Sequence, residues 1–352
     1  MRILKLVLLL GSLALVGAGC LGTSKTSGGS DGGIYKTADA GGIWAQQTMI
    51  LSSKGVGSIG NANVIALEAD PRDHLAMYAG TVSNGLLYSL DGTASWQQPR
   101  DAGMREGAVS AVEVDPTNSC IVFVAKGQRL YKTVDCMRTF SSEAYVETRS
   151  GVTVTEIAVD WYNPKIVWMG LSNGDVMKSE DGSATWVSSV STKESVTGIL
   201  VSNADSRMVL VATEKGGFYK TMDAGITWTQ VKDELKEFKN AAKVTALAQD
   251  KTGGTVLAAT AYGLIRSKDF GSTWEALQLL SSPNQVAIGA IALNPTDTNE
   301  IVYAAGNTYY HSVDGGLKWT TSEIPTTRLP TSLIMDATDA GAAYLGVASL
   351  EK

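Results

Sequence analysis

Five acidic residues in segments between predicted strands are the side chains best suited to acid–base chemistry. They are Asp101, Glu106, Glu143, Glu147 and Glu194. Two carboxyl groups about 5 to 10 Å apart across a cleft can hydrolyse a glycosidic bond, one as acid and the other as nucleophile or base. The simpler interpretation, which we favour, is that these five residues are solvated loop charges.

Other groups of catalytic or ligating residues are sparse. His74 and His311 are the only histidines, which excludes a histidine-rich metal site. The sequence contains no glycine-rich phosphate loop and no nucleophile–histidine–acid arrangement. We therefore predict no catalytic residue, no cofactor and no metal.

A second group of acidic residues belongs to a repeated pattern, typified by YKTMDAGITW at 219–228. Its seven aspartates are Asp39, Asp91, Asp135, Asp181, Asp223, Asp269 and Asp314. They are separated by 52, 44, 46, 42, 46 and 45 residues, a period typical of a propeller or a solenoid. An aspartate that accepts backbone hydrogen bonds closes a hairpin turn, so we predict a structural role for all seven.

In six of the seven copies, glycine near the aspartate provides the positive φ that a tight turn needs, and the third copy, VDCMRTF, has none. Glycine occupies the second position after Asp in four copies, as Gly41, Gly225, Gly271 and Gly316. Two other copies have Thr93 and Ser183 at that position, and there we expect Gly92 and Gly182, one place earlier, to provide the same freedom.

Each period has the pattern of four short strands, as in the stretch 64–96. Four strands make one blade of an antiparallel sheet. Six of the eight tryptophans follow the repeated turns, at Trp44, Trp96, Trp186, Trp228, Trp274 and Trp319. A large flat side chain at an equivalent place in every blade favours packing between blades. Tyrosines near the start of four copies, Tyr35, Tyr131, Tyr219 and Tyr310, are expected in the core.

The two ends of the repeat region complement each other. The first copy, from Ile34, has no preceding pair of strands, and the last stretch, from Thr331, has two strands and then stops. Joined in one sheet, they would close a ring and hide the open edges. The predicted fold is therefore all-β: a single seven-bladed β-propeller of four-stranded antiparallel blades over residues 33–352, with one blade shared by the termini.

Two cysteines give a local test of this arrangement. Cys136 lies in the third repeated turn, and Cys120 is predicted to begin the second strand of the same blade. The first and third hairpin turns of a four-stranded meander lie at the same end, so the two residues are expected to be close. An exported chain permits a disulfide between them, and two separate buried thiols are the alternative.

The N-terminus has the features of an export signal. Arg2 and Lys5 precede an apolar run from Leu6 to Val16, which is shorter than the roughly 20 residues that a bilayer-spanning helix needs. The residues VGAGC, ending at Cys20, resemble the lipidation site of a bacterial lipoprotein. We predict a signal peptide at 1–19 and a lipidated Cys20 with a flexible tether over 20–32. The protein would be exported and anchored to the outer side of a bacterial cell membrane.

The seven turns resemble the Asp-box, or BNR, repeat. That repeat occurs in sialidases, in tandem-propeller xyloglucanases, in sortilin-type receptor domains and in photosystem II assembly and stability factors of the Ycf48 and HCF136 type. A single seven-bladed ring behind an export signal is most similar to the last group, which implies a non-enzymatic assembly platform and a structural Asp-box.

The enzyme families among these relatives give specific expectations. The sialidase resemblance implies three arginines that bind a substrate carboxylate. Arg328 in TTRLP is similar to one of these arginines, but the sequence shows no convincing set of three. The xyloglucanase resemblance implies a facing carboxylate pair and a second propeller, which we do not expect in these 352 residues.

The net charge and two insertions limit the kinds of partner that we expect. The formal charge is −6 with a pI near 5.1, which argues against nucleic acid because such binding needs clustered Lys and Arg. Insertions at 48–63 and 231–243 interrupt the period and are expected on the face opposite the Asp turns, the second as a short helix or a long loop. We expect a monomer that binds a protein partner or a surface glycan as a scaffold, with a glycoside hydrolase, a sialidase-like enzyme or a carbohydrate-binding module as alternatives.

Overall fold

A computed structural model describes residues 30–53, 55–339 and 341–349 of the chain. The predicted signal peptide 1–19, Cys20 and nearly all of the predicted tether lie outside the described residues, as do the side chains of Ser142 and Glu143. Among the residues that are described, no helix has the length and apolar character needed to cross a membrane.

The strands of the described residues form seven antiparallel blades, numbered along the chain, and one separate two-stranded hairpin. Blade 1 has β5 (Val64–Asp70), β6 (Asp73–Thr81) and β7 (Leu86–Ser89). Blade 2 has β8 (Ala111–Val114), β9 (Val122–Lys126), β10 (Arg129–Thr133) and β11 (Ser141–Val146). Blade 3 has β12 (Val154–Val159), β13 (Val167–Leu171), β14 (Asp175–Ser179) and β15 (Val187–Ser191). Blade 4 has β16 (Val196–Val201), β17 (Val209–Thr213), β18 (Gly217–Thr221) and β19 (Thr229–Val231).

Three further blades complete the set. Blade 5 has β20 (Val244–Gln249), β21 (Val256–Thr260), β22 (Leu264–Ser267) and β23 (Glu275–Ala276). Blade 6 has β24 (Ala290–Leu293), β25 (Ile301–Ala305), β26 (Thr308–Ser312) and β27 (Thr320–Glu323). Blade 7 has β28 (Leu329–Met335), β29 (Ala343–Ala348), β1 (Gly33–Thr37) and β2 (Ala45–Gln47).

Blade 7 closes the ring as the sequence predicts. β1 pairs with β29 in antiparallel register, Ile34 opposite Gly346 and Lys36 opposite Tyr344. The first strand of each blade contacts the first strand of the next, and β28 contacts both β24 and β5. The predicted all-β, seven-bladed propeller with a blade shared by the termini is confirmed.

Hydroxyl groups join the first strands of neighbouring blades. Thr331 donates to the Val64 carbonyl at 2.7 Å, and Ser110 donates to the Val154 carbonyl at 2.8 Å. Thr197 makes the same bond from blade 4 to blade 5 at 3.0 Å. These bonds satisfy inner-strand carbonyls across blade boundaries, where backbone pairing cannot reach them.

Blade 1 departs from the four-strand pattern. Its fourth strand is reduced to a bridge in which Tyr88 and Gln97 exchange backbone hydrogen bonds of 2.8 and 2.9 Å. The insertion 48–63 forms a hairpin of β3 (Met49–Ser52) and β4 (Gly55–Ser58), and β3 bonds alongside Trp96. The hairpin therefore extends blade 1 outward. The second insertion contains one 3₁₀ turn, Asp233–Leu235, which partly meets the expectation of a short helix or a long loop.

The repeated aromatic residues pack between blades to different extents. Trp96 is fully buried and Trp44 nearly so, and Trp44 meets Tyr309 of blade 6 edge to face at 5.1 Å. The other four tryptophans of the set are half-buried. Tyr35 is a core residue as expected, but Tyr131, Tyr219 and Tyr310 are half-buried, because the side of the third strand that carries them is only partly covered.

Candidate binding site at the channel mouth

The repeated turns share one hydrogen-bond pattern. In the turn after β18, Asp223 Oδ1 accepts hydrogen bonds from the Thr221 hydroxyl at 2.7 Å and from the Thr227 N–H at 2.8 Å. In every copy the aspartate accepts from the N–H four residues on, which belongs to Ile43, Ser95, Thr139, Thr185, Thr227, Thr273 or Lys318. The Thr227 hydroxyl is the largest cause that lowers the pKa of Asp223 to about 2. Each aspartate is thus engaged by its own turn.

Gly92 and Gly182 have positive φ (67° and 73°), as the sequence predicts. Both positions after the aspartate have positive φ, and the second position adopts it even where it is Thr93 (74°) or Ser183 (77°). The hydrogen bonds of the seven-residue turn hold Thr93 and Ser183 in the left-handed conformation, although this conformation is strained for residues other than glycine.

In five of the seven copies, a basic residue three positions before the aspartate donates a hydrogen bond to the turn of the next blade; these are Lys36, Lys132, Lys178, Lys220 and Arg266. Lys132 Nζ donates to the Gly182 carbonyl at 2.7 Å, and Lys178 Nζ donates to the Ala224 carbonyl at 2.9 Å. Lys220 Nζ lies 2.6 Å from the Ser272 hydroxyl of the following turn. The sequence analysis missed this role, although the lysine of YKT recurs at a fixed offset from the aspartate.

The structure places the candidate acid–base residues on separate connections. Asp101 and Glu106 lie between blades 1 and 2, Glu147 follows β11, and Glu194 lies between blades 3 and 4. Asp101 accepts a hydrogen bond from the Gly103 N–H at 2.8 Å, and Glu106 is exposed. The side chain of Glu143 lies outside the described part of the chain.

Glu147 has the wrong electrostatics for a catalytic acid. Its carboxylate is buried and pairs with the Arg149 guanidinium at 2.7 and 2.9 Å, and the Tyr145 hydroxyl donates to it at 2.8 Å. The hydrogen bonds from Arg149 are the largest cause that lowers the pKa of Glu147 to about 2. A general acid at neutral pH needs a raised pKa, so Glu147 holds its loop together instead.

Arg328 is committed to ring closure. Its Nε lies 3.2 Å from Asp31 Oδ1, and its Nη1 donates to Asn63 Oδ1 at 2.7 Å and to the Asn61 and Ala62 carbonyls. These contacts leave its guanidinium little capacity for a substrate carboxylate.

The two histidines lie on different blades, His74 in β6 and His311 in β26, and each faces one carboxylate. His311 Nε2 is 2.9 Å from Glu300 Oε1, and His74 Nδ1 is 3.6 Å from Asp336 Oδ2. In the part of the chain that the structure describes, no three His, Cys, Asp or Glu side chains are grouped to hold a metal ion.

Cys120 and Cys136 lie together, with Cα atoms 3.9 Å apart and their sulfurs joined in a disulfide. Cys120 lies two positions before β9, and Cys136 lies in the third repeated turn, so both are at one end of blade 2. The backbone N–H of Cys136 also donates to the Cys120 carbonyl at 3.3 Å.

Three glutamates line the central channel on one side. Glu68, Glu113 and Glu156 lie on the first strands of blades 1, 2 and 3, beside a space of about 340 Å³ that all seven first strands surround. Burial raises the pKa of Glu113 and of Glu156 to about 8, and the Glu113 charge adds to the effect on Glu156. Burial, with Glu113 and Asp70 nearby, raises the pKa of Glu68 well above its usual range.

A second cavity, the mouth cavity, opens where the first strands end. It has a volume of about 400 Å³, and residues of six blades line it, among them Asp70, Arg72, Trp161, Asn203, Gln249 and Asp336. Aspartates end most of the first strands and cap the turns that follow them: Asp70 Oδ1 accepts from the Arg72 N–H at 2.8 Å, and Asp336 Oδ1 from the Thr338 N–H at 2.9 Å.

Trp161 distinguishes this cavity from the rest of the ring. It is 40% exposed, whereas Trp168 and Trp96 are fully buried, and its neighbour Tyr162 is 66% exposed. Tyr162 is held in place because its hydroxyl donates to the Asn203 carbonyl of the next blade at 2.6 Å. The sequence analysis missed both residues. The signal was DWYNP at 160–164, where the equivalent turns of other blades carry small or polar residues such as DPTN at 115–118.

Comparison with known proteins supports the fold and leaves the family open. No family model matches the chain, and no curated protein matches it. Solved structures do match: a GH74 xyloglucanase from Xanthomonas campestris has a TM-score of 0.66 at 16% identity, over 82% of this chain and 51% of that one. This chain therefore spans about half the length of that enzyme.

Two similar structures match over nearly their whole length. YCF48 from Cyanidioschyzon merolae has a TM-score of 0.59 at 12% identity, covering 81% of this chain and 95% of that one. YCF48 bound to a D1 peptide has a TM-score of 0.61 at 15% identity, covering 82% and 94%. At these identities the likeness shows a shared propeller fold.

Proposed function

We propose that this chain is a non-enzymatic, membrane-anchored β-propeller that binds a protein partner at the mouth cavity. The observation that carries the proposal is the exposure of Trp161 beside a cavity of about 400 Å³. Aromatic residues are enriched at the centres of protein interfaces, where they supply large contact area at small entropic cost. A ring of seven blades holds this residue on a rigid support.

Several observations support binding over catalysis. Among the candidate loop carboxylates, Glu147 has a lowered pKa, which favours its ionised form. Arg328 is occupied by Asp31 and by the 61–63 segment. A similar propeller, YCF48, has been solved with a D1 peptide bound. A protein with this fold can therefore bind a peptide.

The resemblance of the seven turns to the Asp-box repeat belongs to the same proposal, with an assembly scaffold as the role. The anchor would be a lipid on Cys20, on the outer side of a bacterial cell membrane. Incorporation of radiolabelled palmitate into the wild-type protein and its loss in Cys20→Ser would test the anchor. Equal labelling of both proteins would contradict it.

Site-specific photocrosslinking tests the binding role. A benzophenone amino acid placed at Trp161 should give a discrete crosslinked protein in membranes of the native host. The control position is Leu280, which is 64% exposed and lies on the blade 5 to 6 connection, on the opposite face. The same crosslinks from both positions would contradict a specific site at the mouth.

Glycoside hydrolysis is the competing function, because a similar solved structure is a xyloglucanase. Xyloglucan, β-glucans and sialosides should not be turned over by the wild-type protein. Turnover that is lost in Glu106→Gln or Glu147→Gln would overturn the scaffold role. Glu106 is exposed, so the first variant keeps the test independent of folding.

A further inference from the structure

The hairpin of β3 and β4 has an exposed apolar side. Leu51 and Val56 lie directly opposite each other in its register and are 43% and 72% exposed. Met49, two positions before Leu51 and therefore on the same side, is 41% exposed. On the other side, Ile50 packs against a core cluster that includes Trp96. The hairpin is thus held in place by one side and presents three large apolar side chains on the other.

The tip of this hairpin points to the end of the ring opposite the repeated Asp turns. Trp96 follows the Asp91 turn, so the chain runs from Trp96 towards the other end of blade 1. β3 lies beside Trp96 in the parallel sense, and the Leu51 N–H donates to the Trp96 carbonyl at 2.8 Å. β3 therefore runs in the same direction, away from the Asp turn, and the chain turns back after Ser52.

The chain enters the propeller at the same end and beside this hairpin. β1 runs into the Asp39 turn, so the start of β1 lies at the end opposite the Asp turns. The Gly32 N–H donates to the Gly60 carbonyl, just after β4, at 2.7 Å. The predicted tether, 20–32, spans at most roughly 40 Å at about 3.3 Å per residue. A lipid on Cys20 therefore holds the base of the hairpin within that distance of a bilayer.

The sequence around the hairpin contains no acidic residue. Asp39 and Glu68 enclose 28 residues without an aspartate or a glutamate, and Lys54 is the only charged residue among them. The whole chain has 35 acidic residues in 352, so about three would be expected in a stretch of this length. Anionic headgroups attract lysine and repel carboxylates, so this composition suits a lipid surface.

Two further exposed apolar side chains lie next to the base of the hairpin. The Val82 N–H donates to the Asn63 carbonyl at 2.9 Å, and Asn63 Oδ1 accepts from Arg328 Nη1 at 2.7 Å. Val82 and Leu329, which follows Arg328, are 41% and 47% exposed. Attachment to a membrane surface strengthens with the apolar area that it buries, and these residues extend the area beyond the hairpin.

We propose that the hairpin inserts Leu51 and Val56 into the interface of the lipid bilayer to which the chain is anchored. The two apolar side chains leave water there, while Lys54 stays among the headgroups. The lipid and the hairpin are then two attachments, which together fix the orientation of the ring. The mouth cavity lies at the Asp-turn end and faces away from the bilayer, open to a partner. This inference rests on the proposed lipid anchor and adds a second membrane contact to it.

A fluorescent probe on the hairpin tests this contact. The full lipoprotein with Val56→Cys is labelled with the polarity-sensitive dye NBD and reconstituted in vesicles of phosphatidylethanolamine and phosphatidylglycerol. The emission should shift to shorter wavelength, and doxyl groups on the lipid chains should quench it, because an inserted side chain lies about 5 to 10 Å into the interface. Ile226→Cys is the control position, since Ile226 is 84% exposed in the Asp turn of blade 4. A probe there should show neither effect.

A matched pair of charge variants locates the effect. Leu51→Asp places a carboxylate opposite the Val56 probe and should abolish both the shift and the quenching, because a carboxylate is costly in the interface. Val187→Asp adds the same charge at a side chain that is 60% exposed in β15. It should leave the Val56 signal unchanged. Both replaced side chains are exposed, and thermal unfolding of each variant shows whether it is folded.

Each other outcome overturns the inference in a distinguishable way. A Val56 probe that lipid does not quench, on a protein whose Cys20 lipid is confirmed by mass spectrometry, would exclude the hairpin contact and leave the anchor intact. A protein without lipid on Cys20 would exclude the anchor and this inference with it. A shift seen only in native membranes would assign the hairpin to a protein partner. A shift without lipid quenching that grows with protein density would assign it to a second copy of the chain.

Discussion

Asp31 and Arg328, which are 297 positions apart in the chain, form an ion pair of 3.2 Å across the closure of the ring. Asp31 precedes β1 and Arg328 precedes β28, so the pair joins the two ends of the propeller within blade 7. Asp31 Oδ2 also accepts the Thr327 hydroxyl at 2.6 Å. The closure thus depends on side chains as well as on the β1–β29 ladder.

Replacement of Arg328 by alanine should weaken this closure. The change removes the bond to Asp31 and the bonds to residues 61–63, and hydrogen bonds to charged groups contribute about 1.5 to 3 kcal/mol each where they are buried. We expect the free energy of unfolding in urea to fall by about 2 to 4 kcal/mol. Arg207→Ala is the control: the Arg207 side chain is 71% exposed and pairs with Asp205, so its loss should cost under about 1 kcal/mol. Equal effects would contradict a special role for Arg328.

Lys220→Met tests the link between neighbouring blades. The Lys220 ammonium is largely buried and lies 2.6 Å from the Ser272 hydroxyl of the next turn. Methionine keeps the stem and removes the donor, so stability should fall by about 1 to 3 kcal/mol. Lys215→Met, at a side chain that is 57% exposed, should change the urea midpoint little. An unchanged midpoint for Lys220→Met would show that the contact contributes nothing to the ring.

The sequence was sufficient for the fold because the fold is periodic. Seven copies of one turn gave the number of blades, and the unequal ends, at Ile34 and Thr331, gave the closure. The structure of segments that depart from the repeat period was harder to predict. The hairpin of β3 and β4 uses residues such as Gly55 and Gly57 that carry no alternating pattern, and its register depends on Trp96, which lies about 45 residues away.

The candidate site could not be predicted in the same way, because it depends on spatial convergence. Asp70, Trp161, Asn203 and Gln249 come from four blades and meet only where the first strands end. The seven repeated aspartates were easier to find but are engaged by their own turns. The better signal was a break in the repeat, namely Trp161 and Tyr162 in a turn that is polar elsewhere.

Acid should destabilise the protein through the repeated turns. Hydrogen bonds lower the pKa of Asp135, Asp181 and Asp223 from 3.8 to about 2. A carboxyl with a lowered folded pKa contributes stability above its unfolded pKa and loses it as the pH falls through the folded pKa. The free energy of unfolding should therefore decrease between about pH 4 and pH 2, measured by urea titration at each pH. Asp223→Asn should make this decrease shallower, and an unchanged slope would contradict the assignment.

The channel glutamates should act in the opposite direction at higher pH. Burial raises the folded pKa of Glu113 and Glu156 from 4.5 to about 8. The folded state then binds more protons than the unfolded state between about pH 4.5 and pH 8, so stability should fall as the pH rises through this range. Glu113→Gln and Glu156→Gln, each neutral at every pH, should flatten the slope. Glu106→Gln, at an exposed site, should leave it unchanged, and a flat wild-type profile would refute the effect.

The bond between Cys120 and Cys136 should stabilise blade 2 mainly by restricting the unfolded chain. The two residues are 16 positions apart, and the loop-entropy model gives about 3 kcal/mol for a loop of that size. The double variant Cys120→Ser, Cys136→Ser should lose about this much under oxidising conditions. The wild-type protein should approach the variant when dithiothreitol is added. Because Cys136 adopts positive φ (58°) within its turn, Cys136→Gly with Cys120→Ser should recover part of the loss. If dithiothreitol leaves the wild-type urea midpoint unchanged while thiol titration shows two free thiols throughout, the two cysteines act as separate buried thiols.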